Sequence, residues 1–284
     1  MRKRRLLRSE HSPVSDRPKA PHVLAIANQK GGVGKTTTAI NLGTALAALG
    51  KRVLLIDIDP QGNASTGLGV PAASRGLTAY DFIVAETPRD FAVATMVPDL
   101  YIIPATADLS SADVDLVGDP RRLYKIQDAL AMAGAIPERL DYVLIDCPPS
   151  LNLLTLNALV AADSVLVPLQ CEFFALEGLS QLMRTVQSVR GSLNPRLRIQ
   201  GIVLTMYDRR NNLSGQVAAD VRENLGTLVY ETVIPRNVRL SEAPSHAVPA
   251  LIYDYTSSGA IAYQRLAGEV LARMRGGQQV VEPA

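Results

Sequence analysis

The segment Asn28-Gln29-Lys30-Gly31-Gly32-Val33-Gly34-Lys35-Thr36 constrains this chain more than any other. An apolar run, 23–27, precedes it, and a helix-period stretch, 36–49, follows it and stops at Gly50. Glycines let a backbone turn tightly and bring several N–H groups onto one phosphate. The N-terminus of the following helix adds partial positive charge. In such a loop, Lys35 sits between the β- and γ-phosphates of ATP and the Thr36 hydroxyl ligates Mg²⁺. Candidate nucleotide contacts are therefore Gln29, Lys30, Gly31, Gly32, Val33, Gly34, Lys35, Thr36 and Thr37. The common pattern G-x-x-x-x-G-K-[ST] is met except at its first glycine, where Gln29 stands with an additional lysine, Lys30, beside it.

The rest of the chain suits a strand–helix alternation around that loop. Residues 23–27, 53–56, 100–103, 142–145, 164–169, 199–205 and 228–234 read as strands, several apolar at nearly every position, as strands covered on both faces are. Helix periodicity appears at 36–49, 175–190, 214–225 and 257–274. The expected fold is α/β, a doubly wound, mostly parallel sheet flanked by helices. At 284 residues and 47% hydrophobic, the chain suits one large domain, expected over 21–275. Flanking it are a polar, aperiodic tail, 1–20, and a frayed end, 276–284, both expected to be disordered. Net charge is +2, but residues 1–19 carry +5, which leaves −3 for the remainder, so attraction to a polyanion must come from local patches. No apolar run reaches the roughly 18 residues of a membrane helix. Two cysteines, Cys147 and Cys171, are too few for a disulfide framework, and a cytoplasmic location is expected.

Two more segments carry acidic groups to strand ends. Run 53–56 leads into Asp57-Ile58-Asp59-Pro60-Gln61-Gly62, and run 142–145 into Asp146-Cys147-Pro148-Pro149-Ser150. In an open α/β sheet those ends face the ligand crevice. An apolar strand closing on one aspartate fits a carboxylate that holds Mg²⁺ through water, here Asp146. The D-x-D-P sequence at 57–60 also suits a simple turn.

With its Lys30, the loop resembles that of the ParA/MinD family, and from Pro21 to about Met274 the sequence resembles the chromosomal, Soj-type ParA ATPases, most of all those of alphaproteobacteria. The stretches that carry this are 57–69, 146–156, 168–180, 204–210 and 233–245. The resemblance implies an ATP-sandwich homodimer in which Lys30 reaches the partner's nucleotide. It implies that Asp59 positions the attacking water and Asp57 helps hold the metal's water shell. An ordinary aspartate, with a pKa of about 3.9, accepts protons poorly, so slow hydrolysis is expected. By the same resemblance Met206 and Pro235, with Asn237 near them, flank the adenine; Met206 also suits a core position.

DNA binding is the second implied activity. Arg210 and Arg239 match positions that bind DNA in relatives, and Arg184, Arg209 and Arg222 are further candidates. Arginine forks hold phosphates, and several give non-specific, salt-sensitive affinity for double-stranded DNA. Residues 151–284 hold twelve Arg and no Lys, a bias that GC-rich codon usage also produces. The family further implies nucleoid association and a ParB-type centromere-binding partner that stimulates hydrolysis. Three rival readings exist. A MinD-like, membrane-associated regulator of division needs a Lys-rich amphipathic terminal helix, which Arg275-Gly276-Gly277-Gln278-Gln279-Val280-Val281-Glu282-Pro283-Ala284 does not suit. An iron–sulfur ATPase needs ligating cysteines. A non-enzymatic DNA-binding module leaves the phosphate loop and the two acidic segments without a task.

Overall fold

The structure is a computed structural model that describes residues 20–132, 134, 136–172 and 175–275. The tail and frayed end expected at 1–20 and 276–284 lie, residue 20 apart, outside the described residues.

Among the described residues eight strands form one sheet: β1 (His22–Ile26), β2 (Val53–Asp57), β3 (Val93–Ala94), β4 (Leu100–Ile103), β5 (Tyr142–Asp146), β6 (Ser164–Gln170), β7 (Arg198–Tyr207) and β8 (Val229–Pro235). Their order is β3-β4-β2-β5-β1-β6-β7-β8, and every pair is parallel except β3 with β4. The helices are α1 (Lys35–Ala48), α2 (Asn63–Gly67), α3 (Ala79–Val84), α4 (Ala112–Asp115), α5 (Lys125–Ala131), α6 (Leu153–Ala161), α7 (Ala175–Ser192), α8 (Asn212–Leu225), α9 (Val238–Glu242), α10 (Ala250–Tyr253) and α11 (Ser258–Arg275).

Alternation along the strands divides the core into two layers. Val23, Ala25, Leu54, Ile56, Val143 and Ile145 pack on one face with Phe82, Ile126, Leu159, Val186 and Val221 from α3, α5, α6, α7 and α8. Leu24, Ile26, Val53, Leu55 and Leu144 pack on the other with Leu42, Leu46, Leu240, Leu266 and Val270 from α1, α9 and α11. Each central strand is buried on both sides, which is why the strands read as nearly unbroken apolar runs.

The seven expected strands are all present, within a residue or two of the expected ends. β3 was not foreseen, because two residues show no periodicity. Nor was α6, whose sequence, LLTLNALVA, is apolar all round and lacks a polar stripe. β1 lies between β5 and β6, so the chain leaves it toward β2 on one side and later returns to its other side at β6. Such a reversal opens a crevice at the strands' C-terminal ends, and the phosphate loop follows β1 there.

Candidate active site

Between β1 and α1 the backbone takes left-handed conformations at Gly32 (φ 75°) and Gly34 (φ 88°), which residues with a side chain rarely adopt. Gly34 is also the residue that caps α1, and it has no side chain to give. The helix's first turn holds no acidic group either, so its N–H groups are left to an external anion. Buried neighbours hold the loop. Thr205 Oγ1, near the end of β7, donates to Val33 O at 2.8 Å. Asn28 Nδ2 donates to Pro168 O at 2.7 Å, and its Oδ1 accepts from Lys30 N at 3.1 Å. Neither Asn28 nor Thr205 was foreseen, since a polar residue beside an apolar run shows in sequence only as a strand boundary.

Lys35 is 7% exposed, and its Nζ donates to Lys30 O at 3.0 Å. Burial pulls its pKa down, while Asp146, Cys147 and Asp59 push it back up. Lys30 turns away to Glu172, with Nζ 2.5 Å from Oε2. Gln170 donates to the other oxygen of that carboxylate.

Asp57 and Asp146 are register partners at the ends of β2 and β5, and both are wholly buried. Burial pushes Asp57 up to about 6, against the pull of hydrogen bonds from Ser65 and Asp59. Ser65 donates to Asp57 Oδ2 from its backbone at 2.9 Å and from its hydroxyl at 2.7 Å; sequence reading had passed over it. Burial, followed by the charge of Asp57, drives Asp146 well above the carboxylate range, although the nearby Thr36 hydroxyl favours the charged form. Neither oxygen of Asp146 meets a hydrogen-bond partner in bonding geometry. Two buried carboxylates and a threonine hydroxyl are hard oxygen donors, and a hydrated divalent cation would satisfy the orphaned oxygens. The residues present therefore fit Mg²⁺. Asp59, 9% exposed, accepts from Gln61 N through Oδ1 at 3.0 Å.

The expected adenine contacts lie at neighbouring strand ends. Tyr207 of β7 pairs with Pro235 of β8. Met206 is 37% exposed with φ 52°, so the core reading of this methionine is excluded. Asn237 caps α9, accepting from Arg239 N at 2.9 Å and Leu240 N at 3.3 Å, and its Nδ2 donates to Ser258 Oγ.

The same two strand ends carry arginines. Arg209 and Arg210 follow β7, and Arg236 and Arg239 follow β8; all four are exposed. Arg236 N donates to Tyr207 O at 3.0 Å, which ties the two loops together. Arg236 was missed because it stood among residues assigned to the nucleotide. Arg210 is bidentate to Asp208. Arg239 pairs with Glu242 at 2.8 Å and Asp254 at 3.4 Å. Arg184 is exposed on α7, a different element, and the half-buried Arg222 reaches Glu231 O at 3.4 Å. The strand-end loops thus do not bring Arg184 and Arg222 into the group.

Both cysteines are buried. Burial raises Cys171 to about 11 and Cys147 further still, as expected of core thiols. No group of three or more His, Cys, Asp or Glu side chains able to hold a metal occurs among the described residues.

A family model described as an AAA domain matches residues 21–199. The chain is 65% identical over 254 residues to the chromosome partitioning protein ParA of Caulobacter vibrioides, covering 89% of this chain and 95% of that protein. It is 53% identical over 251 residues to the sporulation initiation inhibitor protein Soj of Bacillus subtilis, covering 88% and 98%. Among solved structures, it resembles a cobyrinic acid a,c-diamide synthase of Mycobacterium smegmatis with bound ATP analogue and magnesium. The TM-score is 0.78 at 37% identity, over 93% of this chain and 100% of that one. A cell division ATPase MinD of Pyrococcus furiosus superposes with a TM-score of 0.70 at 29% identity, over 88% and 98%.

Proposed function

The chain belongs to the ParA/Soj chromosome-partitioning ATPases, and on that premise we propose how its own residues run an ATP-dependent cycle of dimerisation and DNA binding. It is an ATP hydrolase that uses Mg²⁺, and the relative named for chromosome partitioning, at 65% identity, supports that process over the MinD-like alternative.

The observation that carries the mechanism is the alignment of Asp57 and Asp146, buried side by side next to an uncapped helix N-terminus and Lys35. The N–H groups from Gly31 to Thr37 hold the phosphates, and Lys35 neutralises charge on the β- and γ-phosphates. Gln29 borders the same loop. Bound Mg²⁺ would shield the phosphate oxygens and draw charge off the reacting phosphoryl group. Thr36 would contact that ion directly, with Asp57 and Asp146 reaching it through water. Asp59 orients the attacking water, and Lys30 exchanges Glu172 for the nucleotide of a second copy. Met206, Pro235 and Asn237 border the base.

Dimerisation joins two arginine surfaces into one, so contacts that are weak singly add. Arg210 and Arg239 are the principal DNA contacts, with Arg209 beside them; Arg184 and Arg222 stand apart and contribute less. The protein acts on the nucleoid in the cytoplasm, with a ParB-type partner triggering hydrolysis. Among the described residues no helix is long and apolar enough to cross a membrane.

Four variants test this reading. Lys35→Ala abolishes binding of a fluorescent ATP analogue. Asp59→Ala binds ATP and stays on DNA without turnover. Arg210→Ala and Arg239→Glu lose DNA in mobility shifts yet still dimerise. Normal DNA binding by both arginine variants would falsify the assignment of the surface.

A further inference from the structure

The turn that carries Asp59 is tied to the sheet on its inner side by the buried Ile58 side chain and by Ile58 N, which donates to Asp146 O at 3.1 Å. Within the turn, Asp59 N donates to Asp57 Oδ1 at 3.2 Å and Gly62 N to Asp59 O at 2.9 Å. These two bonds set the turn's internal shape.

Arg75 supplies the outer anchorage. Its guanidinium donates five hydrogen bonds to four residues. Nη2 reaches Gly62 O at 3.2 Å, Thr66 Oγ1 at 2.8 Å and Val70 O at 3.0 Å. Nε also reaches Val70 O, at 3.1 Å. Nη1 reaches Ala105 O, just past β4, at 2.8 Å. One planar fork thus ties the end of the turn, both ends of α2 and the loop after β4 into a single unit. Ser65 makes a parallel tie inside it, accepting from Ala105 N at 3.0 Å while it donates to Asp57. The glycine at the end of the turn fits the same arrangement. Gly62 has φ 63°, and a Cβ built there would lie 2.3 Å from Arg75 Nη1. The backbone therefore leaves out a side chain where the guanidinium must pass.

We propose that Arg75 is a positioning residue for ATP hydrolysis: it fixes the turn from Asp57 to Gly62 against the loop after β4, so that Asp59 meets the water already oriented. This rests on the reading of Asp59 given above. The bonds of Arg75 go to Gly62, Thr66, Val70 and Ala105 and to no residue of the phosphate loop, so its effect falls on turnover and not on nucleotide affinity. A lysine has no fork and cannot span Gly62, Val70 and Ala105 together.

The experiment measures kcat, affinity for a fluorescent ATP analogue with Mg²⁺, and thermal midpoint for Arg75→Ala, Arg75→Lys, Gly62→Ala and Asp59→Ala in the full chain. A misplacement of about an ångström lowers kcat about 10- to 100-fold in both Arg75 variants and in Gly62→Ala. Analogue affinity stays within about 3-fold, a shift of under 1 kcal/mol. The proposal is overturned if folded Arg75→Ala turns over at the parental rate. It is equally overturned if kcat, affinity and thermal midpoint fall together, which marks a purely structural role. If Asp59→Ala keeps the parental rate, the Asp59 reading fails and takes this one with it. If Asp59→Ala is dead and both Arg75 variants are normal, only the Arg75 assignment fails.

Discussion

Arg210 does not wait with a free guanidinium: its Nε and Nη2 both donate to Asp208, at 3.0 and 2.9 Å, while its side chain is 88% exposed. Those bonds hold the Asp208 carboxyl down to about 2, so it stays ionised at any pH where the protein works. A fixed anion beside a phosphate-binding cation lowers affinity for DNA. Asp208→Asn is therefore expected to tighten non-specific DNA binding a few-fold at low salt, with the gain shrinking as salt rises; filter binding across a salt series reads both. Arg210→Ala, conversely, is lost from DNA in a mobility shift, and the residual binding measured at low salt should show a slope of log affinity against log salt reduced by about one per subunit. The residues of the phosphate loop were legible because glycine, lysine and threonine at fixed spacing encode the chemistry itself. Ser65, Arg75, Asn28 and Thr205 were not, because their partners lie far off in the chain and only the fold brings them together. Both cysteines are buried in the core. Iodoacetamide should label neither in the native protein and both after denaturation, as burial keeps each thiol protonated at neutral pH.

Among the elements, α9 links stability to the proposed DNA surface. It carries Arg239, begins at the Asn237 cap and rests on α11 through Leu240. A Cβ at Gly259 would lie 2.6 Å from Leu240 Cγ and 2.8 Å from its Cδ1, so Gly259→Ala overpacks that contact. A loss of about 1–3 kcal/mol in urea unfolding is expected, together with weaker DNA binding as α9 shifts. Asn237→Ala removes two cap bonds and should cost about 1 kcal/mol. Long elements were legible in the sequence because α7 and α8 each show one apolar stripe and the inner strands show unbroken runs. α6 and β3 were not, one being apolar on every side and the other only two residues long.

For the molecule as a whole, strand–helix alternation was enough to name a doubly wound parallel sheet, but not to order its strands. That order depends on which helices cover which face, and it sets Asp57 beside Asp146 and the loop after β7 beside the loop after β8. The pairing of arginines across those two loops was invisible from spacing, since Arg210 and Arg236 lie 26 positions apart. In the proposed cycle, joining two such surfaces makes the ATP state a DNA-binding state, and it requires two copies face to face with Lys30 released from Glu172. The most direct measurement is sedimentation equilibrium of Asp59→Ala with Mg²⁺ and ATP, with ADP, and without nucleotide. The account predicts twice the 30.5 kDa chain mass with ATP alone, a doubling lost in Lys30→Ala. A single-chain mass under all three conditions, with ATP demonstrably bound, contradicts it.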